Sequence, residues 1–491
     1  MDENLNQNIP QPVLDVAKNL LDNNFQAYLV GGCVRDLLLK RSSKDWDLTT
    51  DAAPEQIIEI FPHTYYENSF GTVGIVIDEA EEDAPWKVIE ITPFRVESEY
   101  SDSRRPDRVE WGRTIEEDLA RRDFTVNAIA INMADQTRID PFDGLKDIHS
   151  GLIRAVRDPD ERFNEDGLRV LRAIRLQAEL NFALEQNTAR AIERNASVLE
   201  KISAERIRDE LIRILKSPRP AETLETASRL EVLKYILPEL EQARGVKQPQ
   251  AHKHDVYNHL LYTLQAAADK NWSWELRLAA LFHDIGKPPT QRKQGNSYTF
   301  YGHDVVGAKI TKKILNRLKF PKDTVSRVTT LIRWHMFFAD TEEITHSAVR
   351  RMIKNVGQDN IWDLMNLRIA DRVGMGRPKE EPYRFRKYQA MIEEVMSDPV
   401  SIKNLAIDGN NLIQELNLKP GPLIGNLLHA LLDEVLEDPQ LNNREYLLKR
   451  AQELSHMNPR QLELLGKAGK ENLDQTQQAE LEQIRKKYGI K

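Results

Sequence analysis

The chain holds a single cysteine, Cys33, among 491 residues. That excludes an internal disulfide, fits a reducing compartment, and leaves no thiol pair for a metal site. Cys33 directly follows a glycine pair and reads as a small structural residue. Long apolar runs are missing too. None nears the roughly 20 residues a membrane helix needs, so no membrane attachment is expected. The opening MDENLNQNIPQP is acidic and polar, unlike a secretory or transit peptide. Cytoplasm is the expected location. A surplus of positive charge is also lacking: the net charge of −8 argues against indiscriminate nucleic-acid binding. Histidine is scarce, 11 in all, which makes the placement of each one informative.

Hydrophobic residues make up 40% and charged residues 30%, the balance of a charge-rich, mostly helical protein. The length exceeds what one core can hold and predicts about three or four domains. Arginines bunch in SDSRRPDRVEWGRT through ARRDFT and again in IRAVRDPDERFNEDGLRVLRAIRL. Each bunch alone is better read as a solvated helix face. An acidic chain with local basic stretches can hold one polyanion in one groove.

The spacing predicts a helix in PVLDVAKNLLDNN and a strand in QAYLVGG. Further β-like runs follow in DWDLTT, GTVGIVID, KVIEITPF and FTVNAIAIN, rich in Val, Ile, Thr and Phe. With helical punctuation between them, the first 150 or so residues are expected to form a compact α/β or α+β domain. From about Asp158 the strand signals stop and helical periodicity runs to the end, broken at KSPRPAE, GRPKEEP and NLKPGPLIG. The Gln/Lys-rich tail predicts an amphipathic or solvated helix.

In YLVGGCVRDLLLKRSSKDWDLTT a strand runs into Gly31–Gly32 and then a helix. Free backbone N–H groups at such a turn suit a phosphate, and Arg35 can add a charge-assisted contact. If KDWDLTT is a strand, Asp45 and Asp47 share one face. Paired carboxylates suit a hard divalent cation such as magnesium, which takes a few carboxylates together with substrate phosphates. Phosphate held by the turn and metal held by the acids together serve nucleotidyl transfer. Glu90 in KVIEITPF is the candidate third acid, since an acid within an apolar strand is costly unless it has a role; the alternative is a partly exposed strand residue.

In NEDGLRVLRAIRLQAEL, Asp166, Arg169, Arg172 and Arg175 fall at three-residue steps. One reading is a run of ion pairs on a solvated helix face over a core of Leu168, Leu171 and Ile174. The other is a base reader. Cytosine and adenine both offer an exocyclic amino donor beside a ring-nitrogen acceptor, which a carboxylate and a guanidinium can match.

These motifs in order resemble the class II tRNA nucleotidyltransferase and poly(A) polymerase family. GGCVRD and KDWDLTT are similar to its catalytic motif, EYSDSRRPD to its flexible loop, EEDLARRDFTVNAIAI to its ribose-contacting motif, DPFDGLKDI to its link into the neck, and EDGLRVLRAIR to its nucleotide-selecting helix. The resemblance is strong over roughly the first 220 residues. It implies an α+β fold: a DNA polymerase beta-like nucleotidyltransferase head of mixed sheet and helices (1–150), then an all-α neck (151–220), a connector or body (221–250), a phosphohydrolase-like domain (251–380) and a tRNA-binding tail (381–491). By the same resemblance Asp45 and Asp47 bind magnesium, with Glu90 beside them. Gly32 and Arg35 contact the triphosphate, Arg122 contacts the nucleotide, and Asp123 chooses ribose. Asp166 and Arg169 read the base, supported by Arg172 and Arg175. The implied partners are tRNA, CTP and ATP. Asp102, Arg104 and Arg105 in the flexible loop favour an enzyme able to add a terminal A. That leaves CCA addition favoured, with A addition or poly(A) synthesis as alternatives.

A second constellation lies in VYNHLLYTL, LRLAALFHDIGKPPT, YGHDVVG, RWHMFF and LRIADRVG. The adjacent His283 and Asp284, with His259 and Asp371 on other helical segments, can converge on a metal. The set resembles the HD phosphohydrolase superfamily. His303 and His335 match the additional ligands of members that hold two metals, and Lys287 is expected near a phosphate. The implied cofactor is a second divalent metal with phosphohydrolase chemistry; a degenerate RNA-binding scaffold is the alternative. A third reading makes this centre the principal enzyme, with a vestigial head.

Overall fold

The computed structural model describes residues 8–43, 45–67, 71–98, 108–249, 254–295, 297–337, 344–377, 379–397 and 402–490. Asp102, Arg104 and Arg105 lie outside the described residues. Two compact units divide the chain, one within Met1–His335 and Asn366–Pro378, the other within Met336–Met365 and Lys379–Lys491.

The first unit begins with nine short strands: β1 (Tyr28–Val30), β2 (Trp46–Thr50), β3 (Thr64–Glu67), β4 (Thr72–Val76), β5 (Val88–Pro93), β6 (Arg95–Ser98), β7 (Arg108–Trp111), β8 (Ala130–Asn132) and β9 (Arg138–Ile139). Seven of them form one sheet in the order β3-β4-β5-β2-β1-β8-β9. The β2–β5 pair is parallel and the other neighbours are antiparallel, so the sheet is mixed. Strands β6 and β7 pair separately.

Alternation gives the sheet two unlike faces. On one, Trp46 and Leu48 of β2, Ile89 and Ile91 of β5, and Val73 and Ile75 of β4 are buried. Helices Gln11–Asp22 and Pro54–Ile60 lie against these strands. On the other face a small core of Tyr28, Val30, Phe94, Ile115, Leu119, Ala130 and Val156 covers the β1–β8 end. That cover stops short of Asp47 and Glu90, which stay half-buried and exposed.

The sequence reading differs from the structure in three places. FTVNAIAIN is not one strand: Thr125–Asn127 is a 3-10 turn and the strand starts at Ala130. The turn forms because Thr125 donates to Asp147 (2.7 Å) and Asn127 to Asp123 (3.1 Å), side-chain bonds that draw the backbone away from the sheet. Strands also continue past Asp158: Ala183–Leu184 pairs with Leu152–Ile153, and Arg292–Gln294 pairs with Ser297–Thr299. Third, Asp166 and Arg169 do not share a helix. One helix ends at Glu165 and the next runs Leu168–Leu180. Gly167 makes the join, where a Cβ would lie 2.7 Å from Val198, and the Asp166 carboxylate accepts from the Leu168 N–H (3.0 Å).

After the neck helices, Val256–Asp269, Trp274–Phe282, His303–Arg317 and Lys322–Trp334 pack together, and the end of Gln358–Gly374 brings in Asp371. In the second unit, Leu412, Leu427, Leu431, Leu447 and Leu462 share a core. Its last helix, Pro459–Lys487, approaches helix Pro422–Glu437 through Gly466 and Gly469, where a Cβ would fall 2.7 Å and 2.4 Å from Asn426 and His429. Among the described residues no helix is long and apolar enough to cross a membrane.

Candidate active site

Asp47 and Glu90 are register partners on β2 and β5, so their side chains stand on the same open face. Asp45 precedes β2 and is exposed. Burial, then the nearby charges of Glu90 and Asp45, push the Asp47 carboxyl up to about 6 against the pull of Arg122. Asp47 and Glu90 repel each other on one face and Asp45 adds to that repulsion, which a hard divalent cation would relieve. Glu90 is exposed, so the burial argument that singled it out does not apply; its register with Asp47 is what places it.

On the β1 side of Asp47, Gly31 sits at φ +80°, and a Cβ there would lie 2.9 Å from Arg122 Nη1 and 3.4 Å from Asp47 Oδ2. A bare backbone, a guanidinium and a carboxylate thus converge, and only glycine allows both the dihedral and the approach. Gly32 opens helix Gly32–Leu38. The buried Arg35 donates to Asn127 (2.7 Å) and pairs with Asp36 (3.0 Å). Arg122 and Arg121 both pair with the fully buried Asp118 (3.1 and 2.7 Å). Asp118 had no place in the sequence reading, although its three- and four-residue spacing to the two arginines was visible.

Asp123 and Arg172 meet across the head and neck at 2.6 Å. Burial opposes the charged Asp123, but Arg172, Asn127 and Arg169 outweigh it and hold the carboxyl well below the ordinary range. Arg175 is buried against Glu210 (3.0 Å). Arg169, also buried, pairs with Glu165 (2.5 Å) and donates to the Arg121 carbonyl (2.9 Å). Asp166 is held by both terminal nitrogens of Arg206 (3.1 and 2.7 Å), from helix Ala204–Lys216. Asp166 and Arg169, three positions apart, are thus each paired with a different partner. Arg206 and Glu210 escaped the sequence reading because their partners are set by helix packing, whereas Glu165 opens the Glu-Asp-x-x-Arg pattern and sits four residues before Arg169.

The histidine cluster assembles in the same unit. His259 Nε2 lies 3.2 Å from both Asp284 Oδ2 and Asp371 Oδ1, and 3.1 Å from His283 Nε2. His303 and His335 present Nε2 to Asp284 Oδ1 at 3.2 and 3.6 Å. Two groups of ligand atoms, His259/His283/Asp284 and Asp284/His303/His335, each fall within a 4.8 Å span. His283, His303 and His335 each turn Nδ1 to a backbone carbonyl three residues earlier, at 2.8, 2.7 and 2.6 Å. A carbonyl only accepts, so Nδ1 carries a proton and Nε2 is the nitrogen turned to the acids, the one available to a metal once it is free of its own proton. The Nε2 atoms of His303 and His335 are buried without a hydrogen bond. Burial disfavours a charged His283, yet Asp284 and Asp371 raise it to about 10, which shows how strongly these acids call for positive charge. The donors fit a transition metal or a pair of divalent ions. Lys287 is buried on Asp284 (2.5 Å) and Gln248 (2.6 Å) instead of facing outward.

Three family models match the chain: the poly A polymerase head domain over residues 27–154, a probable RNA and SrmB-binding site of polymerase A over 181–244, and the HD domain over 256–375. The CCA-adding enzyme of Limosilactobacillus reuteri is 33% identical over 448 residues, covering 91% of this chain and 97% of that one. The CC-adding tRNA nucleotidyltransferase of Thermus thermophilus is 34% identical over 434 residues, covering 84% and 90%. The Bacillus stearothermophilus CCA-adding enzyme in complex with CTP matches in structure with a TM-score of 0.57 at 26% identity, over 91% of this chain and 98% of that one. Fold and carboxylate face together define a nucleotidyltransferase, an enzyme with a polymerase-type head on a helical body carrying an HD domain. Within that class, the chain belongs to the CCA-adding enzyme family of tRNA nucleotidyltransferases.

Proposed function

We propose that this enzyme builds or repairs the 3′-terminal CCA of tRNA in the cytoplasm, from CTP and ATP with release of pyrophosphate. The alignment of Asp47 with Glu90, beside Gly31 and Arg122, is the observation that carries it. Asp45 and Asp47 would hold a magnesium ion, whose charge would favour attack by a 3′ hydroxyl and departure of pyrophosphate. Gly32, Arg35 and Arg122 hold the triphosphate, and Asp123 faces the ribose while Arg172 locks its orientation. Asp166 and Arg169 meet the base edge shared by cytosine and adenine, with Arg172 and Arg175 keeping the helix in place.

A tRNA transcript lacking its last three nucleotides, incubated with magnesium and CTP, ATP or both, tests this. Growth by two with CTP and three with both supports CCA addition. Growth only on a transcript already ending in CC identifies an A-adding enzyme, and growth that stops at two with both nucleotides a CC-adding one. Long A tails identify a poly(A) polymerase. Folded protein that extends nothing refutes the reading.

The paired metal groups around Asp284 favour a second activity, metal-dependent phosphoester hydrolysis at the HD site. Its test is hydrolysis of a generic phosphoester across a panel of divalent metals, lost in Asp284→Ala.

A further inference from the structure

The open face of the sheet carries an aromatic residue that neither the motifs nor the proposed roles include. Tyr65 on β3 is the register partner of Gly74 on β4, Gly74 that of Glu90 on β5, and Glu90 that of Asp47 on β2. Register partners share a face, so Asp47, Glu90, Gly74 and Tyr65 form one row running out from the acids. Gly74 leaves the space above its strand to the tyrosine. A Cβ there would fall 2.3 Å from Tyr65 Cε1 and Cζ and 2.7 Å from its hydroxyl. The ring therefore lies over Gly74, next to Glu90 in the row, and Tyr65 remains 45% exposed.

Position along the row distinguishes this ring from an ordinary surface tyrosine. The groups suited to the triphosphate, Gly31 and Arg122, crowd Asp47 from the β1 side. In-line displacement needs the attacking hydroxyl opposite the departing pyrophosphate. The acceptor strand must then approach from the other side, over β5 and β4. Strands lie about 4.8 Å apart, which puts a ring over Gly74 roughly 10 Å from Asp47, the reach of one or two nucleotides from the reacting 3′ end. Single-stranded RNA ends are commonly held by stacking on aromatic faces, a contact indifferent to which base is present. A growing acceptor that ends in a different base at each step needs that indifference.

We propose that Tyr65, laid over Gly74, is the stacking platform for a base at the 3′ end of the RNA acceptor. This inference rests on the nucleotidyl-transfer reading above. Tyr65 acts there as a positioning residue.

The test measures acceptor KM and kcat for extension of truncated tRNA, with CTP affinity measured separately in the absence of RNA. Tyr65→Ala is expected to raise acceptor KM about tenfold, the scale of one lost stacking contact, while CTP affinity stays at the wild-type value. Tyr65→Phe and Tyr65→Trp should restore KM, because they keep a ring. Gly74→Val should raise KM as Tyr65→Ala does, since its side chain takes the space the ring occupies. Tyr65→Leu covers the glycine without an aromatic face. If Leu restores KM, the residue only packs, and the inference fails. It also fails if the wild type extends tRNA and Tyr65→Ala keeps acceptor KM within twofold. A wild type that extends no tRNA refutes nucleotidyl transfer itself, and the inference falls with it.

Discussion

Asp47 and Glu90 are register partners on the one parallel strand pair of the large sheet, β2 with β5. Burial, reinforced by the Glu90 charge, raises Asp47 from an ordinary 3.8 to about 6. Below pH 3.8 the carboxyl is protonated whether the chain is folded or not, and it costs the fold nothing. Between there and pH 6 the folded protein increasingly resists its charge. Metal-free Asp47→Asn should therefore be more stable than wild type above pH 6, by on the order of 2 kcal/mol after trimming for a half-buried site. The gap should close below pH 4. Denaturant unfolding at both pH values checks this, and equal stability at pH 8 would sink it. Magnesium should stabilise the wild type and leave the variant unmoved.

Asp166 owes its position to Arg206, which grips both carboxylate oxygens. Arg206→Ala should free the acid and raise KM for CTP and ATP about tenfold, the scale of a lost bidentate ionic hydrogen bond. Steady-state kinetics with each nucleotide at saturating tRNA would show it. Unchanged KM for both would mean the pair serves folding alone.

Removing one partner of the Asp123–Arg172 pair leaves the other uncompensated. Asp123→Asn should cost about 3 kcal/mol at neutral pH. The native carboxyl titrates below its ordinary 3.8, so its contribution is complete above that value and fades as pH falls through the native range. The wild-type advantage should accordingly narrow below pH 4 in urea titrations. An advantage that is independent of pH would contradict the charge argument.

The histidine and aspartate groups around Asp284 predict tight binding of divalent transition metal. Purified protein should retain metal detectable by elemental mass spectrometry, and Asp284→Ala, which removes the oxygens shared by both groups, should lose it. Extension of tRNA should survive that change, since the carboxylate face uses other residues. Metal content equal in variant and wild type would count against the cluster as the ligand set.

Much of the head was legible because its signals are local. Alternation of apolar with polar or small residues marked β2, β4 and β5, and Asp-Trp-Asp set two acids two positions apart. The edge strand β3 was not legible: TYYE has no run of apolar residues, and it is a strand because β4 supplies its hydrogen-bond partners. The long strand expected at FTVNAIAIN failed for the opposite reason, since Asp123 and Asp147 capture its first residues by side-chain bonds.

By itself the sequence determined which acids, arginines and histidines exist, in what order, and with what spacing along each element. That suffices for motifs, because helix and strand periods are set by neighbouring residues. Only the tertiary structure decided who meets whom. Arg206 reaches Asp166 across 40 positions, and Tyr65 reaches the acidic row only because β3, β4, β5 and β2 lie side by side. Such partnerships depend on how whole elements pack, and that packing minimises the apolar surface of the entire head and neck left in water, a quantity no local stretch carries.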